Sequence, residues 1–446
     1  MEINGEKIAL KKGSFKGGVH PEEWKYLTED KAFEILPKPK EIILPLTQHL
    51  GRQAKPVVKK KDKVKIGQLV AESDGFISAP IHSPVCGTIK DITYTSSAYG
   101  IPQKSIIITA EEGEENQFFE PLDPSTVSSE EIIERVKQAG IVGMGGAAFP
   151  TYVKLTPPQD KKIDMLIINA CECEPYLTRD YRILMEYPEE FIQGVKLLMK
   201  ALKVEKGIIG IEDNKIKAAE LIGKYLKNEK SLKIALLKTK YPQGAEKMLI
   251  YATTRRQVPP GKLPLDVGVV VQNVGTAFSV YQAVVEGKPQ IDAYLTVSGL
   301  GIENPKNLIV KIGTPIKDIL DYCGGIKDDP VKIIVGGPMM GTPIYDLKTP
   351  IMKATSGIVV LSKDEVVEKN IQNCVRCGKC IEICPLNLLP TKLARLVQFK
   401  RYEEALKSGI MNCMECGTCC YNCPSNVPIV HWIRIGKTRI KQLKLS

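Results

Sequence analysis

The chain has 446 residues, is 43% apolar and 25% charged, and carries a formal net charge of +11, which fits a folded protein of about three domains and excludes a disordered one. No stretch approaches the ~18 uninterrupted apolar residues of a membrane-spanning helix, and the opening Met1-Glu-Ile-Asn-Gly-Glu-Lys7 lacks the apolar core of a secretory signal. A cytoplasmic location is therefore expected, where the 13 cysteines read as metal ligands and free thiols rather than disulfides.

Residues 1–125 are β-rich and hold no catalytic constellation. Short alternating strands flank a turn at Asp74-Gly75, between Val64–Ala71 and Ala79–Ile89, as in a small sandwich. The pattern resembles the biotinyl/lipoyl-type hammerhead. Carrier domains of that type place a lysine at the hairpin tip; Asp74-Gly75 stands there instead, so a docking role is expected. His20, His49 and His82 are too scattered for a metal site and read as packing or hydrogen-bonding residues.

From about residue 126 helix and strand alternate. Ser128-Ser-Glu-Glu131 is a capping box opening a helix to about Ala139. Gly143-Met-Gly145-Gly146-Ala-Ala148-Phe149-Pro150 follows. Its spacing imitates the dinucleotide fingerprint, but it follows a helix rather than a strand, so the fingerprint does not apply. Exposed glycine amides with Lys154 beyond them still form a phosphate nest. Ile163–Asn169 reads as a buried parallel strand emptying into Cys171-Glu172-Cys173-Glu174-Pro175-Tyr176, where ligand contacts gather in α/β sheets. A helical stripe from Pro188 to about Lys203 is core. Strands at Gly207–Glu212 and Leu232–Leu237 flank a helix at about 215–226, and Tyr241-Pro-Gln-Gly244-Ala-Glu246 and Gln272-Asn273-Val-Gly-Thr276 end further strands at the same sheet edge. Beyond, 293–299 and 307–313 read as strands, 318–325 as a short helix and 391–409 as helical. The tail from His431 is basic and amphipathic enough to lie against a partner or a membrane surface.

The C-terminal region carries the strongest signal. Cys374-Val-Arg-Cys377-Gly-Lys-Cys380-Ile-Glu-Ile-Cys384-Pro385 recurs 39 residues later as Cys413-Met-Glu-Cys416-Gly-Thr-Cys419-Cys420-Tyr-Asn-Cys423-Pro424. Three thiolates at steps of three converge on one cubane, while the fourth, before proline, reaches the other. The assignment is Cys374, Cys377, Cys380 and Cys423 on one [4Fe–4S] cluster and Cys413, Cys416, Cys419 and Cys384 on a second. Zinc has no use for this spacing. From Ile371 onward 12 Lys and Arg face 4 Asp and Glu, a surplus that offsets the clusters and can steer an acidic redox partner or anionic headgroups. No nucleic-acid motif or aromatic platform accompanies it.

The Gly143–Lys154 loop, the Asn-x-x-Glu-x-Glu-Pro element, Tyr-x-x-Gly-x-Glu and Asn-Val-x-Thr occur in the order found in the flavin-binding, NADH-oxidising subunit of respiratory complex I, which the chain resembles. It is more similar still to the C subunit of Rnf-type electron-transport complexes. That likeness rests on Gly17-Gly18-Val-His20-Pro21, Gln48-His49-Leu-Gly51, Glu172-Cys-Glu-Pro-Tyr176, Tyr241-Pro-Gln-Gly244, Gly336-Gly-Pro-Met-Met-Gly341 and the double cluster motif, and spans essentially the whole chain.

The resemblance implies an α+β multi-domain fold. Its parts are an N-terminal β hammerhead or barrel-sandwich (1–125) and a Rossmann-like FMN/NADH domain (126–288). A soluble-ligand-binding β-grasp module (289–348) and a two-cluster, ferredoxin-like helical domain with a basic tail (349–446) follow. It implies that Gly143, Gly145, Gly146 and Lys154 hold the FMN phosphate and that Asn169, Glu172, Gly244, Asn273 and Thr276 line the flavin. Phe149, Glu174 and Glu246 would meet NAD(H), Phe149 by stacking. Cys171 and Ala245 replace acidic residues of the complex I pattern, Met144 a basic residue and Ala148 a glycine; Cys420 stands where a small apolar residue is usual. The function so implied is that of a peripheral subunit of a membrane ferredoxin:NAD oxidoreductase that pumps ions, on the cytoplasmic face, beside other subunits and ferredoxin. The alternatives are the cobalamin reductase of propanediol-utilisation microcompartments, or a two-cluster relay whose degenerate nucleotide site stays empty.

Overall fold

The computed structural model describes residues 13–98, 100–327, 330–366 and 370–445, preceded by a strand pair at Glu2–Ile3 and Glu6–Lys7. Its central sheet has four parallel strands in the order Leu232–Leu237, Gly207–Glu212, Met165–Ala170, Val269–Asn273. Parallel sheets need both faces covered. One cover is the helix Pro188–Leu202, which packs against Val274–Val285 and Ser129–Gln138. Gly194 permits that approach, since a Cβ there would stand 2.0 Å from the Ala277 carbonyl oxygen. Ile168, Ile209, Phe191, Val195, Leu198 and Val280 fill the space between, fully buried. The capping box forms as the spacing predicts, Ser128 and Glu131 each satisfying the other's amide.

Before this sheet stands an antiparallel sandwich. One face orders Glu41–Pro45, Gln103–Ala110, Gly87–Thr95 and Lys63–Val64; the other orders Lys55–Pro56, Leu69–Glu72 and Ile81–His82. The turn at Asp74-Gly75 is broader than the expected hairpin, because the flanking strands end at Glu72 and resume at Ile81. That broad tip docks within the chain: Phe76 packs edge-on against Tyr152, whose hydroxyl donates to the Phe76 carbonyl.

The third sheet draws strands from outside 289–348. Six strands run in the order Thr342–Ile344, Pro330–Val335, Gly357–Ser362, Asp292–Ser298, Lys306–Lys311, Phe33–Ile35. A module confined to 289–348 would lose Gly357–Ser362, which pairs in parallel with Asp292–Ser298, and Phe33–Ile35, which pairs in parallel with Lys306–Lys311. Three residues of strand are too short to register as a periodicity, so Phe33–Ile35 reads from sequence as part of the first domain.

The C-terminal region is helical: Lys379–Glu382, Pro390–Gln398, Tyr402–Lys407, Thr418–Tyr421 and Ile429–Gln442. The stretch 391–409 is two helices rather than one, broken at Lys400, whose φ of +57° no helix continues. The tail helix also departs from expectation. Its apolar side, Ile429, Val430, Ile433 and Ile440, is buried against Leu393, Val397 and Ile410 of the same domain. A Cβ on Gly436 would stand 2.3 Å from Val397. The amphipathic face is thus spent inside the domain, and among the described residues no helix is long and apolar enough to cross a membrane.

Candidate flavin and cluster sites

The carboxyl ends of the central strands build the first site. Asn273 caps the helix Val274–Val285, accepting from Gly275 N at 2.8 Å. Its amide donates to Asp180 at 2.7 Å while its oxygen accepts from Arg179 at 3.0 Å. Thr276 accepts from Met144 N at 3.0 Å, which ties the glycine loop to that helix. Gly143 N closes the loop on the Phe149 carbonyl at 2.8 Å, leaving the Phe149 ring half-buried at its end. Gly145 has a φ of +74°, the left-handed region that suits glycine, and lies against Asn273; nothing crowds Gly146 within 4 Å.

On the neighbouring strand Asn169 donates to the Gly244 carbonyl at 2.7 Å, and Gly244 N donates to the Cys173 sulfur at 3.3 Å. Lys154 donates to Glu246 and to the Val271 carbonyl, both at 3.1 Å. Gly143, Gly145, Asn273 and Thr276 therefore form one group, Asn169 on the adjacent strand with Gly244 of a later loop a second, and Lys154 with Glu246 a third.

Two acidic residues are engaged differently. Glu172 accepts from Asp180 N at 2.5 Å and Tyr181 N at 3.3 Å, capping the helix Arg179–Glu186. Glu174 accepts from Met339 N and Met340 N, both at 3.0 Å, and burial pushes its carboxyl up to about 7. Its partners thus lie in the Gly336–Gly341 turn. Cys171, at the position that departs from the complex I pattern, is fully buried with its thiol toward the Gly210 carbonyl, and burial holds it protonated.

Sequence reading missed three residues here. Lys25, buried in the N-terminal segment, donates to the carbonyls of Glu172, Glu174 and Leu177 at 2.9, 3.0 and 2.6 Å. Arg179 is almost fully buried beside Asn273, and its Nη1 has no partner among the described residues, as is true of Gln272 Nε2. Unpaired buried donors at a strand-end cleft suit a ligand rich in acceptors. Arg179, charged and next to a predicted ligand loop, and Gln272, at the end of an apolar run, carried a sequence signal; Lys25 carried none. With the open glycine amides, these donors fit a flavin nucleotide.

The cluster region repeats in backbone as well as in sequence. Arg376 and Glu415, Gly378 and Gly417, Asn387 and Asn426 are pairs 39 residues apart, and every member has positive φ. Cys384 accepts from Leu388 N and Cys423 from Val427 N, each at 3.4 Å, the amide-to-sulfur bonds that iron–sulfur ligation uses. Cys413, Cys416 and Cys419 lie within electrostatic reach of one another, and Cys384 lies within reach of Cys416. Burial pushes the Cys413 thiol up to about 11. Among the described residues no three His, Cys, Asp or Glu side chains converge closely enough to hold a single ion. The short helices bearing Cys380 and Cys419 pack together, which places the two motif copies side by side. Cys374 and Cys377 are exposed, whereas Cys380, Cys384, Cys416 and Cys419 are buried. Cys420 is half-buried and hydrogen-bonds to the neighbouring Cys419 thiol, which holds its own thiol down at about 6.

The two regions touch. Cys416 packs with Val19 and Tyr241, and Cys173, Met339 and Ile383 close around them. Val19 and Tyr241 exchange backbone hydrogen bonds at 2.8 Å each, and Gly18 N donates to the Ile383 carbonyl at 2.8 Å. Glycine loops and buried donors at the strand ends, packed through Val19 and Tyr241 against a doubled cysteine motif, define a flavin–iron–sulfur electron-transfer protein.

Comparison with known proteins agrees. Family profiles match the Nuo51 FMN-binding domain at residues 136–282 and the RnfC barrel sandwich hybrid domain at 13–113. They also match the SLBB domain at 294–343 and a 4Fe-4S dicluster domain at 364–427. The C subunit of the proton-translocating ferredoxin:NAD(+) oxidoreductase complex of Clostridium ljungdahlii is 48% identical over 88% of this chain and 86% of its own. The Na(+)-translocating counterpart of Acetobacterium woodii is 42% identical over 89% and 90%. The C subunit of the ion-translocating oxidoreductase complex of Rhodobacter capsulatus is 41% identical over 97% and 84%. The chain belongs to this RnfC family of Rnf-complex subunits, related through its FMN domain to the complex I subunit, and its cofactors are FMN and two [4Fe–4S] clusters. These relatives favour the oxidoreductase complex over the corrinoid-reductase and empty-relay readings. An NAD+-reducing [NiFe]-hydrogenase shares the fold, with a TM-score of 0.50 at 21% identity over 66% of this chain and 60% of that one.

Proposed function

We propose that this chain is the nicotinamide-reacting subunit of a membrane ferredoxin:NAD oxidoreductase that couples electron flow to ion transport. Bound FMN would supply the exchange between two-electron hydride chemistry and single-electron transfer. Gly143, Gly145, Gly146 and Lys154 hold its phosphate, and Asn169, Glu172, Gly244, Asn273 and Thr276 shape the flavin cleft, with Arg179 as a further buried donor. Phe149 and Glu246 face the nicotinamide nucleotide. Glu174 serves this side by fixing the turn at 336–341. Ion translocation belongs to partner subunits, because no helix among the described residues can span a membrane.

The contact of Cys416 with Tyr241 and Cys173 carries this reading, since it sets a cluster ligand against the flavin loops. It also orders the wire. Cys384, Cys413, Cys416 and Cys419 would hold the cluster on the side of the flavin loops, and Cys374, Cys377, Cys380 and Cys423, two of them exposed, would hold the one that exchanges electrons with a ferredoxin or ferredoxin-like subunit at the cytoplasmic face. The sub-folds are a hammerhead-type sandwich, a Rossmann-like flavin domain, a β-grasp module and a ferredoxin-like cluster domain.

The test is an anaerobic NADH titration of the reconstituted chain, following flavin absorbance and cluster EPR together. Bleaching of the flavin followed by a reduced-cluster signal is expected. Cys416→Ala should keep the bleaching and stop onward transfer to a single-electron acceptor. Loss of flavin reduction in a folded, FMN-loaded Cys416→Ala variant would refute the division of labour.

A further inference from the structure

Tyr241 is 1% exposed, yet its hydroxyl has no hydrogen-bond partner among the described residues. A buried phenol left unpaired is costly, so such groups in a folded chain call for an explanation. The ring is fixed on both sides. Its backbone exchanges two hydrogen bonds with Val19, and its side chain shares an apolar pocket with Val19 and Cys416, closed by Cys173, Met339 and Ile383. The charged and ionisable groups acting on the phenol are Glu174, Cys173, Cys416 and Arg434. Glu174 is occupied by Met339 and Met340, Cys173 by Gly244 N and Arg434 by Glu415. The Cys416 sulfur is engaged by Thr418, whose hydroxyl lies 3.4 Å away. Of the quartet, Cys416 packs in this pocket, and a cluster on it would present sulfide sulfurs there as further acceptors for an O–H donor.

We propose that Tyr241 donates its hydroxyl proton as a hydrogen bond to a sulfur of the cluster held by Cys384, Cys413, Cys416 and Cys419, and so raises that cluster's reduction potential. This rests on the cluster assignment above. Hydrogen bonds to cluster sulfurs favour the reduced, more negative state. Placed between the flavin loops and the inner cluster, the donor would act on that cluster without touching the outer one. Tyr241 is in this sense a tuning residue: it binds neither substrate nor flavin and adds no ligand to the iron.

The experiment uses the full reconstituted chain and its Tyr241→Phe variant, which keeps the ring and removes one oxygen. Redox titrations followed by EPR should show one cluster moved to a more negative midpoint and the other unmoved. Deuterium ENDOR on the reduced protein exchanged into heavy water should show a coupled exchangeable proton that disappears in the variant. Cys416→Ala, prepared alongside, identifies the signal of the inner cluster. If Cys416→Ala leaves both cluster signals intact, the quartet assignment fails and the proposal with it. If Cys416→Ala removes one signal while Tyr241→Phe leaves that signal's potential and proton couplings unchanged, the assignment stands and the hydrogen bond is refuted. Equal shifts of both clusters would refute it as well.

Discussion

Removing the Glu174 carboxylate separates its anchoring role from a direct contact with nicotinamide. It accepts two backbone N–H groups, from Met339 and Met340, at 3.0 Å each, and Gly337 packs against it so closely that a Cβ there would stand 2.3 Å from its Oε2. In the protonated form that burial favours below pH 7, each bond contributes about 0.5–1.5 kcal/mol. Two are lost in Glu174→Ala, so the turn should open more easily by about 1–3 kcal/mol. That is roughly a 5- to 150-fold faster exchange of the amides at 336–342. Hydrogen-exchange mass spectrometry on the folded chain reads this segment alone and needs no two-state assumption for the whole protein. The pH dependence has a definite sign. Burial lifts the Glu174 carboxyl from 4.5 to about 7, so the closed turn holds a proton that the opened turn releases between these values. The contribution is full below pH 4.5 and is lost as pH rises through 7. After correction for intrinsic exchange, protection should fall across this window in the native chain and stay flat in Glu174→Gln. Unchanged exchange at 336–342 in Glu174→Ala, with a raised KM for NADH, would refute the anchoring role and restore the nicotinamide contact implied by family resemblance.

Two further outcomes are expected. Lys25→Met strands the carbonyls of Glu172, Glu174 and Leu177 and should destabilise the 172–178 loop by about 3 kcal/mol, seen as faster exchange there and lower FMN retention; unchanged exchange would show the three bonds to be dispensable. Lys154→Met breaks an ion pair whose side chains are 30% and 38% exposed, worth no more than about 1 kcal/mol. The melting temperature should therefore hardly move while bound FMN falls, and full FMN occupancy would remove Lys154 from the phosphate nest.

What the sequence made legible is local. The strands Gly207–Glu212 and Leu232–Leu237 fall at the positions that their apolar runs mark, and the 39-residue cysteine repeat reappears as a repeat of backbone angles, because thiolate spacing and turn shape are fixed within a dozen residues. What stayed hidden is long-range. Lys25 meets carbonyls some 150 positions away, and Glu174 meets amides 165 and 166 positions away; neither leaves a periodic mark. The tail helix shows the same limit from the other side: its amphipathic stripe was plain, but whether that stripe met a membrane or Val397 depended on where the chain folded back.

The sheet that takes in Phe33–Ile35 also sets a clock on biosynthesis. That strand leaves the ribosome early, yet its one strand partner among the described residues is Lys306–Lys311, about 270 residues later, or roughly 15–50 s at ordinary elongation rates. Until then it is an unpaired edge in a crowded cell, the kind of segment that chaperones hold and that mispairs when they do not. Yield of this chain on overexpression should therefore depend on translation speed and chaperone supply well before it depends on iron or flavin.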